Sequence, residues 1–246
     1  MNSDHESTID LRIPGKWTGP REILEAIHAQ GCRLTDEGEL VLVDGTRALI
    51  TPVPADGQFA GIFRSSCRRT PTEDERNTID NYTANVLLSG PGGSLDAALA
   101  VMRAAAVIIR AGGAGVFIDN CGLSHGGQNW LDYTADASPD AVSFAFVSIV
   151  RGDEEVHTIG MHVLGHREIV MKRTDIEVQG FDIIEVILYV CRGDKPIDDG
   201  HLIADESGPR FQVVFQPSPH EGYPGAMCNP FGQMKLVSLR DIAEGN

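Results

Sequence analysis

The chain has 246 residues, of which 42% are hydrophobic and 22% charged, an ordinary globular balance that excludes collagen, a coiled coil and a wholly disordered chain. Twenty Lys plus Arg against 35 Asp plus Glu leave a formal charge of −15, and a surface of that sign repels phosphate backbones, so no nucleic-acid partner is expected. No apolar run reaches the roughly 18 residues of a membrane span, because Arg103 and Arg110 interrupt the best candidate, and no membrane partner is expected either.

Residues 1–18 are polar and read as a flexible, frayed start. Pro20 then suits a first helical turn, and Ile23, Leu24 and Ile27 recur at helical spacing up to Gly31. Residues 39–43 and 48–53 read as a hairpin around the Asp44-Gly45 dipeptide, with Pro52 and Pro54 limiting the pairing. Residues 66–81 are charged and proline-marked, with Glu73, Asp74 and Glu75 suited to a first helical turn. They are the expected connection between an N-terminal subregion and the main body.

The clearest unit follows. Residues 85–89 read as a strand, residues 90–93 as a tight turn, and Ser94 as the N-cap of a helix ended by Gly112-Gly113. Leu95, Leu99, Met102, Ala106 and Ile109 keep a 3.6-residue period along it. With a second strand at residues 116–118 this makes a βαβ unit, whose two parallel strands would be adjacent and end at one edge. A short helix at residues 126–134 and a long central strand at residues 141–150 follow. Residues 156–159 and 169–171 read as strands. Thr174 and Glu177 resemble a capping box opening one helix through Phe181, Ile184, Leu188 and Cys191. Strands at residues 211–215 and 234–239 flank a Pro/Gly-rich loop at residues 217–232.

Several blocks then stand in a particular order: residues 48–54, 84–111, Gly115-Val116-Phe117, Gly122-Leu123-Ser124-His125, residues 158–169, and Asp199-Gly200. Across roughly residues 20–217 they resemble the bacterial family catalogued as domain of unknown function 4261. That resemblance implies a mixed α/β arrangement in one protein and brings no assigned activity with it.

The expected fold class is α+β, with one compact domain over residues 19–246 built around the βαβ unit. Two loops carry candidate chemistry. Gly90, Gly92, Gly93 and Ser94, with Asn120 from the second loop, form a candidate ligand-binding set: a glycine turn entering a helix exposes free amides at the positive end of its dipole, although the lysine of a Walker loop is missing. Asp119, Cys121 and His125 form a candidate catalytic set, in which His125 would draw the proton from the Cys121 thiol and Asp119 would orient the imidazole. His157, His162 and His166 cluster, yet their spacings of five and four fit no common chelating motif. No metal and no cofactor are expected there. Trp17 and Trp130 read as packing residues, and Glu154, Glu155, Asp198 and Asp199 as solvated turns. Five cysteines without a CxxC pair, and a start lacking the basic and apolar regions of an export signal, suggest reduced thiols in a cytoplasm. The first functional expectation is a non-enzymatic binding or interaction module for an unidentified protein or small molecule. The alternative is a cofactor-free hydrolase or transferase using the Cys121/His125 pair.

Overall fold

A computed structural model describes residues 7–179, 182–193, 195–204, 210–218 and 223–244. In chain order β1 (Thr8–Gly15), α1 (Pro20–His28), β2 (Arg33–Leu34), β3 (Glu39–Val41), β4 (Arg47–Pro54), α2 (Phe59–Ser65) and α3 (Glu73–Asp80) lead to β5 (Ala84–Pro91), α4 (Leu95–Arg110), β6 (Gly115–Ile118) and β7 (Leu123–Gly126). These strands form a seven-stranded sheet in the order β2-β3-β4-β5-β1-β6-β7. Then α5 (Gly127–Asp136), α6 (Pro139–Phe146), β8 (Ser148–Arg151), β9 (Glu155–Ile159), β10 (Glu168–Lys172), α7 (Arg173–Gln179), α8 (Ile183–Arg192), β11 (Leu202–Ala204), β12 (Arg210–Gln216), β13 (Gln233–Ser238) and α9 (Leu239–Glu244) follow. Their strands make a six-stranded sheet, β11-β12-β13-β10-β9-β8. The fold is α+β, as the sequence predicts. Among the described residues no helix is long and apolar enough to cross a membrane.

From Thr8 on, β1 replaces the expected frayed start; residues 1–6 of that reading lie outside the described residues. Ile9, Leu11 and Ile13 are buried while Asp10 and Arg12 face outward, the two-residue alternation of a strand covered on one side only. β1 pairs antiparallel with β5 along its whole length and with β6 at Leu11 and Arg12. β5 and β6 are therefore parallel to each other but not neighbours. The predicted βαβ unit exists in split form, with β1 inserted between its strands, and its two loops leave the same rim on either side of the start of β1.

Helix α4 crosses behind this sheet, against β5 and β1 on one side and α5, α6 and the 3₁₀ turn Met161–Leu164 on the other. Its buried Ala98, Ala104, Ala105 and Ala106 let those elements approach closely. Trp17 and Trp130 are both buried, and each indole N–H is satisfied, by Ala111 O at 3.0 Å and Met102 O at 3.1 Å.

Three further expectations change. Residues 141–150 are not a central strand: Ser138 caps α6, its Oγ accepting the Ala141 N–H at 3.2 Å, and β8 begins only at Ser148 on the edge of the second sheet. Buried Val142, Ala145 and Phe146 show why the apolar run was ambiguous, since a helix buried on one side and a buried strand both tolerate it. Residues 66–81 are not a linker. Ser66 and Arg68 bond the backbone of Ser124, the Arg68 guanidinium donates to Phe144 O and Val147 O at 2.6 Å each, and Thr72 and Glu75 form a capping box on α3. The helix predicted from Thr174 to Cys191 is divided, with Asp182 capping α8 through the Ile184 N–H at 2.9 Å. Gly180, Phe181 and the Glu177 side chain lie outside the described residues.

Each fully buried aliphatic side chain of β1 contributes about 1.5–3 kcal/mol, and the strand also satisfies the facing backbone groups of β5 and β6. A chain lacking residues 1–15 is therefore expected to show no cooperative thermal transition by circular dichroism, whereas a frayed start would leave the midpoint unchanged.

Candidate functional site

The glycine turn leaves β5 at the rim, where its amides are already engaged. Gly92 N–H donates to Ser7 O at 2.6 Å and Gly93 N–H to Val163 O at 2.9 Å, while Ser94 Oγ accepts the Ala97 N–H as the predicted N-cap. A Cβ on Gly165 would lie 2.4 Å from Gly93 O, so the 3₁₀ turn presses against the loop. Gly90 is packed on Val101, where a Cβ would meet the valine side chain at 2.6 Å. The predicted anion cradle is corrected on this ground: its donors bind the chain's own carbonyls, which occupy the space an anion would need.

The Cys121/His125 pair is corrected as well. The segment is a tight hairpin rather than an open loop, with His125 on β7 paired to Val116. Cys121 is buried, its thiol pushed up to about 12 chiefly by burial, opposed by a hydrogen bond from the Leu123 backbone and the charge of Arg68. A thiol held that far up does not ionise near neutrality. His125 is fully buried between Trp130 and Tyr133, with Nε2 donating to Ala145 O at 2.9 Å and Nδ1 without a hydrogen-bond partner among the described residues. Burial first, then the charges of Arg68 and Arg69, lowers it to about 4. No hydrogen bond joins the two side chains among the described residues. Asp119 turns to Arg12, not to His125.

What the fold brings together lies on the outer face of the seven-stranded sheet. Asp10 stands opposite Ser89, and Arg12 stands between Leu87 and Phe117, because strand alternation sends these residues outward while Ile9, Leu11, Val86, Leu88 and Val116 go to the core. Arg12 Nε donates to Asp119 Oδ1 at 3.0 Å and Oδ2 at 2.9 Å, and Ser89 Oγ donates to Asp10. Burial raises the Asp119 carboxyl, against the hydrogen bond and charge of Arg12, which lower it. Two hollows meet at this pair. One, of about 570 Å³, is lined by Asp10, Leu87, Ser89, Phe117 and Met227 among others. The second, of about 550 Å³, shares Arg12, Phe117 and Asp119 with it and extends to Asp56, Phe59 and Ile62.

Behind the first hollow lies a buried polar network that sequence reasoning missed. Asn120 accepts the Asp10 N–H at 2.8 Å and donates to Thr8 O at 2.8 Å and Ala226 O at 3.1 Å. His162 Nε2 lies 3.1 Å from the same Ala226 carbonyl, and Nδ1 lies 3.4 Å from Glu168 Oε1. Glu168 further accepts from Thr158 Oγ1 at 2.7 Å, Gly160 N–H at 3.1 Å and Asn229 Nδ2 at 2.9 Å. The network clamps the segment that carries Pro224, Ala226 and Met227, one wall of the hollow. Asn120, a candidate ligand group in the sequence, is buried and braces Asp10, Thr8 and Ala226. The signal for Glu168 was its place at the head of a strand otherwise apolar through Met171.

The three clustered histidines diverge. His157 meets Tyr223 OH at 2.9 Å, His162 joins the network above, and burial lowers His166. The 3₁₀ turn at Met161–Leu164 replaces the extended backbone assumed for their geometry. Among the described residues no three or more His, Cys, Asp or Glu side chains are grouped to hold a metal ion. Comparison with protein-family models, with curated proteins and with solved structures finds no match to this chain.

Folded, the His125 ring stays neutral down to about pH 4, whereas the unfolded chain protonates it near 6.5. Unfolding therefore takes up a proton between those values, and stability falls as pH drops through that window, by on the order of 3 kcal/mol. The urea midpoint of His125→Phe is expected to lose that share of the pH dependence relative to the parent chain. Glu168→Ala strands several buried donors and is expected to cost roughly 3–5 kcal/mol in urea unfolding, with Glu168→Gln costing less because the acceptor oxygen is kept.

Proposed function

We propose that this chain is a non-enzymatic binding module whose ligand lies on the outer face of the seven-stranded sheet. The observation that carries the reading is the meeting of two hollows, of about 570 and 550 Å³, at the Arg12–Asp119 pair. Volumes of that size suit a small molecule or a short peptide segment. Their lining alternates apolar surface from Leu87, Phe117 and Met227 with polar groups from Asp10, Arg12 and Ser89, the mixture that gives affinity and orientation together. Relative to the edge read from the sequence, the site moves from the rim onto the adjoining face and keeps Asp119.

The hydrolase or transferase alternative has no support in the geometry, because its thiol and imidazole are both buried and unconnected. A nucleic-acid partner finds no support at this face, where Arg12 is compensated by Asp119. All five cysteines are unpaired, which supports the cytoplasmic setting expected from the sequence.

The test is a small-molecule and peptide screen by NMR on isotope-labelled protein. Hits are expected to perturb the amides of Asp10, Arg12, Phe117 and Met227 together. Leu87→Trp, which fills the larger hollow from an outward-facing position, is expected to weaken them at least tenfold. Hits that map elsewhere, or that survive this substitution, would refute the site.

A further inference from the structure

A second arginine stands apart from this face. Arg167 precedes β10 where the starts of β10 and β13 meet the end of β12: Glu168 N–H donates to Gly232 O at 3.1 Å, and Gln216 pairs with Gln233. Its guanidinium lies over the Phe215 ring at 4.2 Å from the centroid, and Nη1 donates to Phe231 O. Gly232 makes this placement possible. With φ of +88° and a Cβ position 2.5 Å from the backbone Gln216 O and 2.7 Å from Arg167 Nη1, the site favours glycine, and its bare backbone leaves room for the guanidinium. The turn beneath is fixed in its own right, with Asn229 Oδ1 accepting the Phe231 N–H at 2.8 Å and Asn229 Nδ2 donating to His166 O at 2.8 Å.

The arginine is thus held, stacked on an aromatic ring and tied at one nitrogen, yet no described acidic group compensates its charge. Among the described residues no carboxylate pairs with Arg167. It opens onto a hollow of about 340 Å³ in which none of the described lining residues is acidic. Two further donors line that hollow. Gln216 Oε1 accepts from Gln233 at 3.0 Å, which leaves the Gln216 amide N–H₂ available, and Ser218 lines the same hollow. Pro217, Pro230 and Phe231 supply apolar walls. A fixed planar fork with free donors, flanked by an amide and a hydroxyl and facing no described negative group, is complementary to a planar or tetrahedral oxyanion. In a chain of charge −15 the net field disfavours anions, so an arginine facing a hollow whose described lining carries no acid is a specific feature rather than a consequence of composition.

We propose that this hollow is a second binding site, for the carboxylate or phosphate group of a small ligand, with Arg167 as the recognising residue and Gln216 and Ser218 as auxiliary donors. It is separate from the outer-face site and stands whether or not that site binds anything.

The test titrates isotope-labelled protein with inorganic phosphate and, separately, with acetate, using chloride at matched ionic strength as the control. Saturable shifts of the Arg167 Nε–Hε signal and of the Phe231 and Gly232 amides are expected. Response to phosphate alone supports a phosphate-bearing ligand, and response to acetate a carboxylate. Arg167→Gln is expected to abolish the titration, and Arg167→Lys, which keeps charge and stem but loses the fork, to weaken it at least tenfold while retaining the parent pattern of dispersed amide signals. An equal response to chloride, shifts centred on Arg12, or an unchanged titration in Arg167→Lys would overturn the proposal.

Discussion

The insertion of β1 between β5 and β6 is the constraint on which the rest of the structure depends. A single eight-residue strand supplies three roles through the alternation of its side chains. Ile9, Leu11 and Ile13 complete the core beneath α4, Asp10 and Arg12 furnish the polar groups of the outer face, and the backbone joins two strands that run parallel and would otherwise have open edges between them. Its first described residues also occupy the rim, where Ser7 O takes the amide of Gly92 and Thr8 O the side chain of Asn120. The same strand therefore closes the anion cradle and builds the hollow beside it.

A second constraint is the cost of burying Glu168. A carboxylate in a site this dry is tolerable only with a full set of donors, and here they come from Thr158, Gly160 and Asn229, with His162 alongside. Thr158, Gly160 and His162 lie within 10 residues of Glu168 and Asn229 lies 61 away, so satisfying one carboxylate locks the 3₁₀ turn, the head of β10 and the loop before β13 into a single arrangement. Both hollows inherit their walls from it: Ala226 and Met227 on one side, Asn229 and Gly232 on the other. A polar network of this kind contributes more to defining one conformation than to net stability.

The chemistry read from the sequence failed for one reason in each loop. Gly92 and Gly93 have the spacing of an anion-binding turn, and Cys121 and His125 the proximity of a thiol and a base, but spacing is silent about what else fills the space. Val163 and Ser7 fill the first. The second is filled by the Trp130 and Tyr133 rings around His125. Asp119 alone of the catalytic set reaches an accessible hollow, because it follows the last residue of β6 on the outward side.

Local patterns were enough to determine α1, the hairpin of β3 and β4, the α4 helix with its Ser94 cap, α5, and the strands β9, β10, β12 and β13, since each rests on a period or a cap that short-range sterics and burial enforce. The α+β class follows from their sequence order. Only the tertiary structure decided that the polar N-terminal segment is a central strand, that residues 141–146 wind into a helix, and that Arg12 meets Asp119 across 107 positions. Pairing partners, the occupants of a rim and the Asn229 donor that reaches the buried Glu168 carboxylate come from residues far apart in the chain, and no local period encodes them.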